Sequence, residues 1–222
     1  MNVGRHRHFA HSGKHKAALK ELSRHVRQAA FNAAMSAGVQ SGEHVALTVE
    51  RAAEPTAPER MARNHPGDAA QRAETRAMYE RCLTQYRTSV QSLDDAHDDA
   101  GVAVAHFVAA CMRALHAARA APGTLLQLER QLSGVVERSA NWSTASKQER
   151  QFYFEQMAIL AVLISESNTL ALTQGPAALA NVQRAASGYL QKLLGLDPRV
   201  LSLDTQGLRL ADHVHGADQA AA

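Results

Sequence analysis

Residues 146–176 read SKQERQFYFEQMAILAVLISESNTLALTQGP. The run opens on Ser146-Lys147-Gln148-Glu149, a capping-box pattern in which a serine and a glutamate three residues later satisfy each other's backbone N–H groups. No glycine or proline follows until Gly175. Phe152, Met157, Leu160, Leu163, Ile164 and Leu170 spread apolar side chains over a wide surface, so the segment from about Lys147 to Thr173 is predicted to be the central helix of a core. Gly175 permits a turn, and Pro176 suits the first turn of a following helix, where its missing N–H has no partner to lose.

Working towards the C-terminus, Leu179, Val182, Ala186, Tyr189, Leu190 and Leu193 recur at helical spacing, and Gly195 stops that helix. Leu196 to Leu210 differs: Asp197-Pro198 and Gly207 mark turns, and Leu201, Leu203, Leu208 and Leu210 are expected to fold back on the bundle. Residues 211–222 are expected to be a disordered tail.

Towards the N-terminus, Thr124 is expected to cap a helix to Ser139, with Leu125, Leu128, Leu132, Val135 and Val136 inward. Ala121-Pro122-Gly123 breaks it from a helix of about 95–119 lined by Val102, Ala105, Ala109 and Met112. Asp68 caps a helix to about Val90, in which Met78, Cys82 and Tyr86 share a face. Residues 38–67, punctuated by Pro55, Pro58 and Pro66, read as a linker with room for a short helix near 59–64. Lys14 to Ala37 reads as one more helix, and residues 1–13 as disordered.

The expected fold is therefore all-α: an antiparallel bundle of four to six helices over residues 68–210, preceded by a flexible basic arm over 1–67. Composition agrees. The chain has 222 residues, 43 of them alanine and only two isoleucine, and 5% are aromatic. Such a sequence favours helix over sheet.

The net charge of +3 is uneven. Arg5, Arg7, Lys14, Lys16, Lys20, Arg24 and Arg27 stand against Glu21 alone in residues 1–28, a balance of +6, which leaves −3 for the rest. That arm suits contact with a partner or a polyanion such as nucleic acid, through salt-sensitive phosphate neutralisation. With only Phe9 and Phe31 as aromatic support, base stacking is not expected. His6, His8, His11 and His15 in the same arm offer neutral imidazoles to Ni²⁺, Cu²⁺ or Zn²⁺, without preorganised geometry.

Signatures of catalysis are missing: there is no G-x-S-x-G elbow, no G-x-x-x-x-G-K phosphate loop and no H-E-x-x-H. Asp94, Asp95, His97, Asp98 and Asp99 form the densest acidic cluster. Its leading interpretation is helix capping, with a hard divalent metal held by the carboxylates and His as the alternative, and an unrecognised enzyme or metal site in a pocket near Asp98, Asp99 and His106 is a third reading. Glu155 and Glu166 lie eleven residues apart on one helix face with Ile159 and Val162, but a di-iron bundle site also needs Glu-x-x-His motifs that are absent. They are expected to be a solvated or hydrogen-bonded pair. Cys82 and Cys111 are expected to be buried thiols, a single bridge between them being the alternative in an exported protein. Trp142 is expected to plug one end of the core. The apolar runs Met157 to Ile164 and Val102 to Met112 fall well short of about 20 residues, so no transmembrane segment is expected.

From Leu93 to about Leu210 the chain resembles an uncharacterised bacterial all-helical family of unknown function. The likeness rests on Asp98-Asp99 leading an Ala-rich helix to Ala117-Ala118, and on Gln148 and Gln151 with Glu155 following. It also rests on a helix ending in Gly195-Leu196-Asp197, and on the closing Leu201-x-Leu203-Asp204-x-x-Gly207-Leu208. Members place larger aromatics where this chain has His106 and Phe107, and often look exported. The resemblance implies the fold and makes the closing Leu-rich segment part of it. It lends no activity, so no catalytic residue carries over.

The functional expectation is a non-catalytic helical module that binds a protein partner, with no cofactor. Polyanion binding through the arm and metal binding through its histidines are the alternatives. A homo-oligomer is left open. The expected location is cytoplasmic, with secretion or the periplasm as the alternative.

Overall fold

The computed structural model describes residues 31, 33–35, 46–91, 98–116 and 123–210. In chain order these form β1 (Thr48–Val49), α1 (Ala57–Arg63), α2 (Ala69–Gln91), β2 (Asp98–Asp99), α3 (Ala100–His116), α4 (Thr124–Glu137), α5 (Ala140–Thr144), α6 (Lys147–Gln174) and α7 (Pro176–Leu194), then a 3-10 turn (Pro198–Val200), β3 (Leu201–Asp204) and β4 (Gly207–Leu210). The fold is mainly α, as expected, and α2, α3, α4, α6 and α7 are its long helices.

Local chemistry explains the helix starts. Ser146 and Glu149 close the capping box of α6, the Glu149 carboxylate accepting the Ser146 N–H at 2.8 Å. Asp68 and Gln71 do the same ahead of α2, through Asp68 Oδ1 at 2.8 Å from the Gln71 N–H and Gln71 Oε1 at 2.9 Å from the Asp68 N–H. The capping role expected of Thr124 falls instead to Gly123, at φ 83°. Thr124 is already the first helical residue, and it is fully buried.

Helices α3 and α6 form the centre. α3 packs on α4, α6 and α7, and α6 also packs on α1, α2 and α7. Ala100, Ala103, Ala105, Ala110 and Ala114 of α3 are buried, and short side chains let neighbouring axes approach closely. Gly101 marks the tightest point, where an added Cβ would stand 1.9 Å from Ser133 Oγ of α4. Phe107, Phe154, Leu83, Leu128, Ile159 and Leu190 fill the space between helices. α6 is long and apolar enough to cross a membrane by length and composition alone, yet half of its most apolar window is buried inside the fold. A central core helix satisfies the same criterion.

Leu196 to Leu210 does fold back on the bundle, as an antiparallel hairpin that pairs Leu201 with Leu210 and Asp204 with Gly207. Gln131 of α4 extends the hairpin's hydrogen bonding: its Oε1 accepts the Leu208 N–H at 2.7 Å. Gly207 sits at φ 93°, and a Cβ there would lie 2.1 Å from Gln131 Oε1. Gly207→Ala therefore combines a left-handed backbone with displacement of a buried amide. The expected loss is about 2–3 kcal/mol, or roughly 5–10 °C in Tm, read by thermal circular dichroism. A melting temperature within 1 °C or so of the parent would refute this account of the turn.

The linker reading of 38–67 needs correction for its described part, residues 46–67. Leu47 and Val49 are buried, β1 pairs with β2, and α1 packs on α2 and α6 with its Ala57, Pro58 and Ala62 buried. Two alternating apolar residues and an alanine are too little to register as a period, but they suffice to hold a strap across the bundle. The arm residues before Phe31, the segment 36–45 and the tail 211–222 lie outside the described residues, as do the expectations placed on them. Phe31 and residues 33–35 are helical, with Met35 buried.

Candidate functional site

The acidic residues singled out in the sequence turn out to be fasteners of the strap. Asp99 Oδ1 accepts the N–H groups of Gly101 at 2.7 Å and Val102 at 3.0 Å, which caps α3. Its Oδ2 accepts the Leu47 N–H at 2.9 Å. Asp98, whose side chain is 4% exposed, lies between the guanidinium groups of Arg51 and Arg87 and contacts each with both oxygens, at 2.9–3.3 Å. The helix expected from about Asp95 begins at Ala100, because the two aspartates are held extended as β2. Asp94, Asp95 and His97 lie outside the described residues.

Glu155 is the third fastener, and it corrects the expected pairing with Glu166. Glu155 is fully buried, whereas Glu166 is exposed. Glu155 Oε2 accepts the N–H groups of Thr56 and Ala57, both at 2.8 Å, and Oε1 accepts from Gln151 Nε2 at 2.7 Å. The start of α1 has no side-chain cap of its own. Its free N–H groups are satisfied by a carboxylate from another helix. Arg60 of α1 adds a contact 3.7 Å over the Phe152 ring.

Asp98 and Asp99 are engaged at the strap, and His106 makes its contacts with Glu129 and Tyr86. His106 Nε2 faces Glu129 Oε1 at 3.5 Å, and its ring meets the Tyr86 ring edge-on at 5.5 Å. Tyr86 is 4% exposed, with a hydroxyl that has no partner among the described residues. Burial pushes its phenol up, and the carboxylates of Glu129, Asp99 and Asp98 add to the effect, so the proton stays on. Among the described residues no group of three His, Cys, Asp or Glu is placed to hold a metal ion. Cys82 and Cys111 are buried free thiols. Burial raises both, Cys111 to about 12, so neither is a thiolate at neutral pH. The arm's Arg5, Arg7, Lys14, Lys16, Lys20, Arg24 and Arg27, with His6, His8, His11 and His15, lie outside the described residues.

What the fold does assemble is a pair of grooves that share Arg150. The first, of about 590 Å³, has Val104, Leu132 and Met35 as its floor. Its walls are Val135 and Val136 of α4, Trp142 of α5, Tyr153 of α6, and Leu193 and Leu194 of α7, with exposed Asn141 and Thr144 at the rim. Trp142 is half-buried, packs against the core as expected and meets Tyr153 edge-on at 6.1 Å, and it also walls this groove. Burial pushes the Tyr153 phenol up to about 12. The second groove, of about 610 Å³, is lined by Thr48, Val49, Glu50, Arg51, Asp98, Lys147 and Arg150.

Charges around the second groove are mostly matched. Lys147 Nζ pairs with Glu50 at 2.7 Å, and that hydrogen bond holds the Glu50 carboxyl below its usual range. Glu149 is likewise held low, chiefly by the Ser146 backbone N–H. Arg150 differs. Its guanidinium lies 5.1 Å over Trp142, and Nη2 makes a long 3.4 Å hydrogen bond to the Ser143 carbonyl. Its Nε is sealed from water without a partner among the described residues. Sequence reading missed Arg150, because its environment is built by elements from four parts of the chain.

Residues 8–211 match the model of a protein family described as a family of unknown function, DUF6683. The match reaches back through the strap and into the arm, well before the Leu93 at which the sequence resemblance began. No curated protein and no solved structure matches the chain.

Proposed function

The chain belongs to the DUF6683 family, and from that premise we propose that it is a non-catalytic helical module that binds a protein partner through the groove beside Trp142. One observation carries the reading: an apolar groove of about 590 Å³ with two aromatic walls, on a body whose conspicuous acidic side chains are occupied in holding the strap. Partner surfaces concentrate binding energy where aromatic and aliphatic side chains form a desolvated pocket ringed by polar groups. Val135, Val136, Leu193, Trp142 and Tyr153 supply the first, and Ser139, Asn141 and Thr144 the second.

The test is a photo-reactive phenylalanine analogue placed at exposed Asn141 in the full chain, irradiated in cells of the native host. The expected result is a discrete protein adduct that disappears with Val136→Glu, a half-buried wall position. That variant should keep its Tm within about 3 °C of the parent. An adduct that survives Val136→Glu would overturn the groove reading. A substrate turned over by the purified protein would overturn the non-catalytic one.

A further inference from the structure

We infer that the segment bound in this groove is an extended peptide with a defined chemistry: an aliphatic or aromatic side chain followed closely by an aspartate or glutamate. The inference rests on the groove reading above. The apolar residue enters beside Trp142, and the carboxylate meets Arg150 at the junction with the second groove.

The argument is one of charge complementarity. Arg51, Arg87, Lys147 and Arg150 gather at this junction with three carboxylates, those of Glu50, Asp98 and Glu149. Asp98 is engaged by Arg51 and Arg87, Glu50 by Lys147, and Glu149 by the Ser146 cap. Among the described residues Arg150 makes no ion pair, and its buried Nε has no hydrogen-bond partner. A guanidinium is a planar fork that matches a carboxylate, and the charge of Arg150, which lines both grooves, has no counter-ion among the described residues. Within this same fold Asp98 is gripped in that way by two arginines.

Arg150 lines both grooves, so the apolar and acidic subsites lie one side chain apart. At about 3.3 Å of rise per extended residue, the acid falls roughly two to four positions from the apolar anchor. Neighbouring cations add long-range attraction for an acidic segment and repel a basic one.

The experiment selects a phage-displayed library of random twelve-residue peptides on the full-length protein, with the Val136→Glu protein as counter-selection. Enriched sequences are remade as fluorescent, C-terminally amidated peptides and measured by anisotropy. The expected consensus is an apolar residue with Asp or Glu within about four positions. Arg150→Gln should weaken these peptides roughly tenfold. Peptides with Asn or Gln in place of the acid should bind parent and Arg150→Gln alike, because the two changes remove the same contact. A merely structural role for Arg150 predicts equal losses for both peptide sets.

Groove-dependent peptides without an acidic residue, or with affinities indifferent to Arg150→Gln, overturn this inference and leave the groove reading standing. If no peptide depends on Val136, both fail. Concentration-dependent dimerisation abolished by Leu193→Glu would show a second copy as occupant and also overturn it.

Discussion

Glu155→Ala is expected to lower the unfolding free energy by about 3–4 kcal/mol and Tm by roughly 10 °C. Glu155 is fully buried and accepts three hydrogen bonds, two of them from the Thr56 and Ala57 backbone. Alanine leaves those two N–H groups without an acceptor and the Gln151 amide with only the long 3.5 Å bond to the Glu54 carbonyl, and opens a cavity beside α1. Glu155→Gln should cost less, about 1–2 kcal/mol, because one amide oxygen can still face both N–H groups while Gln151 turns its own oxygen to the new amide. Thermal circular dichroism ranks the variants. Hydrogen exchange should show faster exchange at Thr56 and Ala57 in the alanine protein. An unchanged melting point for Glu155→Ala refutes the fastening role.

Asp98→Ala comes next, with about 2–4 kcal/mol expected. Its side chain is 4% exposed, while Arg87 and Arg51 are 18% and 45% exposed. Removing the carboxylate strands Arg87 in a largely dry place, whereas Arg51 can swing to water, which limits the loss. The order of effects follows: Asp98→Ala largest, Arg87→Met intermediate, Arg51→Met smallest. Urea unfolding of the three proteins tests that order, and an Arg51→Met cost equal to that of Asp98→Ala would contradict the geometry.

Most of the helices were legible because their signals are local. Ser146 and Glu149 announce a start within four residues, and Gly175-Pro176 a stop and a start within two. The apolar recurrence in Leu128 and Leu132, or Cys82 and Tyr86, reports a buried face directly. The strap was not legible. Leu47 and Val49 alternate only once, and Ala57 is fully buried yet carries no pattern, since alanine is common on every face of this chain. Glu155 gave half a signal. Its spacing to Ile159 and Val162 put it on the apolar face, but two of its three partners lie 98 and 99 residues earlier and are backbone groups, which leave no trace in residue identity. Reading it against Glu166 pairs it with a carboxylate of the same helix face instead of a distant N–H.

The candidate site was harder still, for the same physical reason. Trp142 stood out as the lone tryptophan, but that it walls a groove besides packing on the core depends on how α4 and α7 flank it. Arg150 sits among Lys147, Glu149 and Gln151 in a polar first turn, indistinguishable from a solvated helix start until β1 and α5 are placed beside it. Asp98-Asp99 was read as a cap, and Asp99 is one. Its neighbour does a different job one residue away, because alternate residues of an extended segment face opposite sides.

The strap is also an ordering device in time. Thr56 and Ala57 leave the ribosome almost a hundred residues before Glu155 does. At about 5–20 residues per second, the first-made end of the chain waits roughly 5–20 s for the side chain that fastens it. The N-terminal segment is thus synthesised first and seated last. Throughout that interval the strap is tethered to nothing but its own nascent chain, and only the later-made helices give it a seat.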